Sequence, residues 1–195
     1  MKSLFIVFEG IDGSGTSTQA GLLKNYFLSR GKRAALSPEP SNGCIGKFIR
    51  EILKKQDISI RDSHRFDGQM AYLFAADRYH HLYNDIDGVF KLLKENCNVI
   101  STRYYFSSLA YHCNSREDFY FVRQLNHEFP QPDLVIYLDI PVEVALKRLS
   151  ERPFMEVYEN QQKLAKVRQN YQDIFSEYKG LKLILNGTNS KESIH

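Results

Sequence analysis

A glycine-rich stretch near the start of the chain, GIDGSGTST at positions 10–18, has the residue types of a phosphate-binding loop. It follows the pattern G-x-x-x-x-G-x-S, in which backbone N–H groups turn inward and surround phosphate oxygens. Directly after the loop, apolar residues recur with helical spacing. The positive N-terminal end of this helix would strengthen the binding of a phosphate group. Ser17 stands where a hydroxyl group binds Mg²⁺. We predict a phosphate site here, and the alternative is a glycine-rich turn between a strand and a helix that holds no ligand.

The residue that departs from this pattern is Thr16, which occupies the position where such loops carry a lysine. A lysine brings a full positive charge to the β- and γ-phosphates of a bound triphosphate. Threonine keeps the backbone N–H group and supplies only a neutral hydroxyl on a short side chain. We therefore expect phosphate binding to survive, while phosphoryl transfer needs positive charge from another residue or becomes slow.

The segments around the loop alternate between short apolar runs and longer stretches with helical spacing. We predict strands over 4–8, 33–37, 97–101, 132–140 and 181–185. We predict helices over 17–30, 45–55, 67–83, 89–95, 118–129, 142–151 and 160–178. This alternation predicts an α/β fold with three α/β/α layers and a five-stranded parallel sheet, and the phosphate loop makes the P-loop NTPase type the expected one. Ligands of such sheets bind beyond the carboxyl ends of the strands, where polar segments follow the first three strands.

Length and composition limit the class of protein to which this chain can belong. The 195 residues are 43% hydrophobic and 25% charged, as expected for a single domain covering 1–195. The apolar runs are too short to span a membrane, and the first residues lack a signal-peptide pattern. Three widely spaced cysteines favour a reducing compartment over a metal site. The net charge of +3 suits small phosphorylated molecules and does not require nucleic acid. Together these features predict a cytoplasmic protein without nucleic-acid or membrane partners.

Four further motifs extend the prediction beyond a generic phosphate loop. They are LFAADRYHH at 73–81, RYYFSSLAYHC at 103–113, PDLVIYLDIPVEVALKRLSER at 132–152 and KVRQNY at 166–171. Together with the loop they resemble the bacterial thymidylate kinases, over residue 5 to about residue 186. The resemblance implies transfer of the γ-phosphoryl group of ATP to thymidine monophosphate (dTMP) with Mg²⁺. It also implies a homodimer and a short lid at about 150–160.

The resemblance also implies roles for individual residues. Phe74 would stack on thymine, Arg78 would bind the acceptor phosphate, and Arg103 would contact the transferring or the acceptor phosphate. The other residues implied at the dTMP site are Asp12, Glu39, Ser107, Ser108, Tyr111 and His112. Those implied at the ATP site are Gly10, Asp12, Gly13, Ser14, Gly15, Thr16, Ser17, Thr18 and Arg148, with Ser17 as the metal ligand. The alternatives are that Phe74 and Tyr111 are core residues and that Arg78 forms an exposed pair with Asp77.

Several positions that carry charge in the family are neutral in this chain, among them Thr16, Thr102 and Val157. We expect Arg152, and after it Arg148, to supply the missing charge when the lid closes. The catalytic set would then be Arg78, Arg103 and Arg152. The alternative for both lid-proximal arginines is a solvated basic helix face.

Two other functions stay open from the sequence. The loss of charge is compatible with a nucleotide-binding homologue that has lost phosphoryl transfer and acts through binding. Pro38 and His112 alter the implied acceptor pocket, which is compatible with a kinase for another nucleoside monophosphate.

Overall fold

The computed structural model describes residues 2–54, 60–151 and 156–195. Five parallel strands form one sheet in the order β2-β3-β1-β4-β5. They are β1 (Phe5–Glu9), β2 (Ala34–Leu36), β3 (Asn98–Thr102), β4 (Leu134–Asp139) and β5 (Lys182–Asn186). The predicted α/β fold with a five-stranded parallel sheet is confirmed, and each strand lies within about two residues of its predicted position.

Helices connect and cover the strands. In chain order they are α1 (Thr16–Ser29), α2 (Cys44–Leu53), α3 (Ser63–Tyr83), α4 (Val89–Lys94), α5 (Tyr105–Tyr111), α6 (Arg116–Asn126), α7 (Val142–Ser150), α8 (Gln161–Glu177) and α9 (Lys191–Ile194). The sequence analysis did not predict α5 or α9. Six of the seven α5 residues are buried, so this helix lacks the amphipathic pattern that reveals the others. Among the described helices, none is long and apolar enough to cross a membrane.

The alternation of side chains along β1 shows why helices cover both faces of the sheet. Phe5 and Val7 belong to the larger buried cluster, which includes residues of α2, α3, α5 and α8. Ile6 and Phe8 belong to a second cluster, which includes Ala20 of α1. Burial of each large apolar side chain contributes about 1.5–3 kcal/mol, so both faces of this central strand stabilise the three layers.

Backbone hydrogen bonds continue past the ends of the strands and hold the following loops at one edge of the sheet. The N–H group of Glu39 donates to the oxygen of Thr102 at 3.0 Å. The N–H group of Arg103 donates to the oxygen of Phe8 at 2.8 Å. The polar segments after β1, β2 and β3 therefore converge, as the parallel topology predicts.

Candidate active site

The predicted phosphate loop connects β1 to α1 and leads into the first turn of that helix. Gly13 and Gly15 have φ angles of 81° and 96°, which residues with a Cβ rarely adopt. A Cβ on Gly13 would also lie 2.9 Å from the backbone oxygen of Ala145, so the loop packs closely against α7. Gly15 caps α1, and Thr16 is the first residue of that helix. The first turn of α1 leaves N–H groups available for an anion.

A cavity of about 560 Å³ adjoins this loop, and we call it the loop cavity. It is lined by residues 12–19 and by side chains from the segments that follow β2, β3 and β5. Ser14 Oγ is buried and has no hydrogen-bond partner among the described residues. Buried hydroxyl groups are normally paired, but this one lies against Gly10, where an added Cβ would be 2.4 Å from it, and is not exposed to the cavity. The predicted phosphate-contacting residues from Asp12 to Thr18 thus lie at one cavity, and Gly10 immediately precedes them.

Ser17 is exposed at the wall of the loop cavity. Within the described part of the chain, no group of three or more His, Cys, Asp or Glu side chains is placed to hold a metal ion. Mg²⁺ commonly binds through only one or two protein groups together with phosphates of its nucleotide. The Ser17 hydroxyl group therefore fits an ion that arrives with a triphosphate.

Arg148 supports the phosphate loop from α7. Its Nη1 donates to the backbone oxygens of Gly13 at 3.1 Å and Ser14 at 3.5 Å. Its Nη2 donates to the oxygen of Gly187 at 3.0 Å, in the segment after β5. The side chain also lines the loop cavity. The alternative of a fully solvated basic face is wrong for Arg148, because its guanidinium group joins the loop to the neighbouring segment.

Arg103 lies between the phosphate loop and the interior of the domain. Its φ angle is 75°, a left-handed conformation that is uncommon for a residue with a side chain and costs on the order of 1–3 kcal/mol. Its guanidinium group forms an ion pair with Asp12 at 2.5 Å, and Nη1 donates to the oxygen of Gly10 at 3.0 Å. Burial acts to lower the pKa of Arg103, but the electrostatic effects of Tyr111 and Asp12 outweigh it and hold that pKa above its usual range. Arg103 is therefore a fixed positive charge beside the loop.

A second, smaller cavity of about 80 Å³ lies on the other side of Arg103, and we call it the inner cavity. It shares Asp12, Arg103 and Glu156 with the loop cavity. Its remaining lining residues are Pro40, Leu53, Phe74, Ser107, Ser108, Tyr111, His112 and Tyr158. The aromatic face of Phe74, the two serine hydroxyl groups and the Arg103 cation suit a planar base attached to an anionic group. Most of the residues predicted for dTMP thus line one cavity, next to the predicted phosphate site.

Two of those residues contact each other inside the inner cavity. The rings of Phe74 and His112 lie 5.4 Å apart between centroids. Burial lowers the pKa of His112 to about 3, so the imidazole is neutral at physiological pH. His112 Nδ1 is buried and has no hydrogen-bond partner among the described residues. A neutral imidazole beside an aromatic ring can pair with a polar base edge without adding charge.

The structure places Arg78 behind the wall of the inner cavity. The side chain is fully buried, and Nε and Nη2 donate to Glu39 Oε2 at 2.9 and 2.7 Å. Nη2 also donates to Ser108 Oγ at 3.2 Å, and Nη1 donates to Asn126. Arg78 lines neither cavity, so its contact with the acceptor phosphate stays a prediction that this geometry does not show. The alternative of an exposed pair with Asp77 is wrong, since both residues are 0% exposed.

Glu39 lines the loop cavity and not the inner cavity. Besides Arg78, its carboxylate contacts His81, whose Nδ1 lies 3.1 Å from Oε1. His81 Nε2 in turn lies 2.6 Å from Ser37 Oγ. The carboxylate is thereby held in one orientation at the edge of the site.

Sequence reasoning missed Glu9, the last residue of β1. Its carboxylate accepts hydrogen bonds from the backbone of Tyr104 at 2.7 Å, Ser107 Oγ at 2.7 Å and Tyr171 OH at 2.8 Å. Burial raises the pKa of Glu9 to about 7, although these hydrogen bonds and Arg103 act to lower it. The available signal was a single carboxylate at the end of an otherwise apolar strand.

The segment after residue 155 covers the inner cavity, and its Tyr158 was not among the predicted site residues. The N–H group of Val157 donates to the oxygen of Leu53 at 3.0 Å. Tyr158 lines the cavity, and its hydroxyl group donates to Asp67 Oδ1 at 2.8 Å. This segment belongs to the predicted lid. The predicted catalytic residue Arg152 lies outside the described residues.

Comparisons with known proteins agree with this geometry. Residues 8–195 match the family model described as thymidylate kinase. The "Probable thymidylate kinase" of Pyrococcus horikoshii is 37% identical over 196 residues, covering 100% of this chain and 93% of the relative. The "Putative thymidylate kinase" of Treponema pallidum is 39% identical, covering 91% and 81%. The "Probable thymidylate kinase" of Thermococcus onnurineus is 38% identical, covering 98% and 93%.

Proposed function

The chain belongs to the thymidylate kinase family, and from this premise we infer that it transfers the γ-phosphoryl group of ATP to dTMP. The observation that carries the assignment is the position of Arg103, which lines the loop cavity and the inner cavity at once. A donor and an acceptor bound in these two cavities would meet at one fixed positive charge. Placing reactants in contact and stabilising charge are the main tasks of a phosphoryl-transfer enzyme.

We assign the phosphates of ATP to the loop cavity. Backbone N–H groups of the loop and of the first turn of α1 would bind phosphate oxygens. The Ser17 hydroxyl group would hold Mg²⁺ together with the phosphates, and this ion supplies further positive charge when bound. Arg148 keeps the loop in shape through its backbone contacts.

We assign dTMP to the inner cavity. Phe74 would stack on the base, while neutral His112 and Ser108 would face its polar edge. Arg103 would then contact the acceptor phosphate, at the side where the inner cavity opens toward the loop. Arg78 acts from behind this wall and fixes Ser108 and Glu39. It is a positioning residue in this proposal.

The small volume of the inner cavity implies movement of the lid. Its 80 Å³ is far below the roughly 300–1,000 Å³ of ligand pockets. Tyr158 and Glu156 belong to the segment that closes it. We propose that this segment opens to admit dTMP and closes again for transfer, which excludes water from the reacting phosphates.

The test of the function is ADP release in a coupled assay with a panel of nucleoside monophosphates as acceptors. We expect turnover with dTMP to exceed turnover with dCMP, dGMP and dAMP. Faster turnover with another acceptor would show that specificity has shifted. ATP binding by calorimetry without turnover of any acceptor would instead support the nucleotide-binding homologue. A Phe74→Ala variant serves as the control for acceptor binding, because its ATP binding should be unchanged.

We further propose that this single kinase-like domain forms a homodimer in the cytoplasm, with small nucleotides as its ligands. Support for the dimer comes from exposed aromatic residues on α3 and α6. Tyr72, Tyr79 and Tyr120 are 59%, 62% and 67% exposed. Sedimentation of the wild-type protein and a Tyr72→Ser/Tyr79→Ser variant tests this interface. A variant that sediments as the wild type does would contradict it.

A further inference from the structure

Lys191, which follows β5, lies in the wall of the loop cavity. We propose that Lys191 supplies the donor phosphates with the positive charge that Thr16 does not provide. The proposal rests on the assignment of ATP to the loop cavity. Among the described residues that line this cavity, Lys191 carries the one ammonium group.

Lys191 is anchored to the helix that begins at the phosphate loop. Its backbone oxygen accepts a hydrogen bond from Gln19 Nε2 at 2.8 Å. Gln19 is buried and follows Thr16 by three residues on α1. The first turn of α1 and the backbone of Lys191 are therefore held at a fixed separation.

The segment that leads to Lys191 is also held against the phosphate loop. Gly187 accepts a hydrogen bond from Arg148 at 3.0 Å. A Cβ on Gly187 would lie 2.6 Å from Ile140 Cγ2 and 3.2 Å from the backbone oxygen of Ser14. This close approach makes residues 187–191 a wall of the site, and it fixes the point from which the lysine side chain extends.

The ammonium group of Lys191 is free to turn toward a ligand. Its ion pair with Glu192 measures 3.5 Å, and both side chains are more than 60% exposed. Such surface pairs contribute little, so a triphosphate with several negative charges can replace the carboxylate. The other cations of the wall, Arg103 and Arg148, already donate to protein oxygens. The flexible four-carbon stem of a lysine lets Lys191 follow the phosphates.

The chemistry of transfer explains why this charge matters. The bond between the γ-phosphorus and the β–γ bridging oxygen breaks, while an oxygen of the dTMP phosphate forms a new bond to the γ-phosphorus. In a loose transition state, negative charge accumulates on the oxygens of the departing ADP. A cation beside the donor phosphates stabilises this charge more than it stabilises bound ATP, and so raises kcat as well as affinity.

The test combines Lys191→Met and Lys191→Arg with Lys179→Met as the control. Lys179 is an exposed lysine just before the start of β5, whereas Lys191 follows the other end of this strand. We expect Lys191→Met to lower kcat/KM for ATP by about tenfold, and Lys191→Arg to stay within about threefold. Lys179→Met should match the wild type. Wild-type kinetics for Lys191→Met would overturn the proposal.

The exchange Thr16→Lys tests whether Lys191 replaces the missing loop lysine. In the Thr16→Lys background we expect Lys191→Met to cost less than about threefold, because the charge is now supplied twice. An equal loss in both backgrounds would contradict the compensating role.

Calorimetry of ATP binding in the absence of dTMP separates the test of Lys191 from the test of the kinase activity. Weaker ATP binding by Lys191→Met supports the proposal even if no acceptor is turned over. The lack of turnover would refute only the kinase assignment. Unchanged ATP binding together with unchanged turnover would refute the role of Lys191 alone.

Discussion

The buried carboxylate of Glu9 gives the protein a pH dependence of stability that one substitution should remove. Glu9 is 0% exposed and lies among Ser107, Tyr171 and the backbone of Tyr104. Burial raises its pKa from 4.5 to about 7, so the folded protein binds a proton at this site that the unfolded chain releases. Glutamine has the shape of the protonated acid and does not titrate. We therefore compare the wild type with Glu9→Gln.

The sign and size of the effect follow from this pKa difference. Below pH 4.5 Glu9 is protonated in both states, and its titration has no effect on the free energy of unfolding. As the pH rises toward 7, the unfolded chain ionises freely while the folded protein must either keep its proton or bury a charge. At about 1.4 kcal/mol per pH unit, the folded state loses on the order of 3 kcal/mol across this window. The loss is complete above pH 7, because both states are then ionised.

The assay is urea unfolding at several pH values from 4.5 to 8 for both proteins. We expect the stability of the wild type relative to Glu9→Gln to fall by about 3 kcal/mol over this range. Glu177→Gln, an exposed glutamate on α8, is the matched control and should run parallel to the wild type. Parallel curves for Glu9→Gln and the wild type would refute the reasoning, since Glu9 would then have the same pKa in both states.

Three further predictions concern the assigned site. Arg103→Lys should lower kcat with dTMP by on the order of 100-fold, because one ammonium group cannot contact Asp12 and the loop at the same time. A loss below about tenfold in initial rates would contradict this prediction. Phe74→Leu should raise KM for dTMP about tenfold through lost stacking, and an unchanged KM would place the base elsewhere. Arg78→Met should lower the free energy of unfolding in urea by about 3–5 kcal/mol, because the buried Glu39 carboxylate then loses its arginine partner and keeps only its contact with His81. A loss below about 1 kcal/mol would show that this ion pair is dispensable.

Local patterns in the sequence predicted most of the fold. Strand β1 alternates its side chains between two cores, and β4 is a continuous apolar run, so both were found within about two residues. Helix α5 was not found, since burial on nearly all sides removes the periodic polar face. The position of the glycine-rich loop between β1 and α1 was predicted, because its glycines, its hydroxyls and the helix after it are adjacent in the chain.

The sequence by itself thus determined the five strands, their parallel arrangement, most of the helices and the position of the glycine-rich loop, while the strand order came from the structure. Only the tertiary structure decided which distant side chains meet. Glu9 contacts Tyr171 across 162 residues, and Gln19 contacts Lys191 across 172. It also places Arg78, a predicted phosphate ligand, in buried contact with Glu39 and Ser108. The physical reason is the distance along the chain over which each effect acts. Periodicity and turn preferences involve residues that are close in sequence, whereas burial, pKa shifts and ion pairs depend on residues that are close in space.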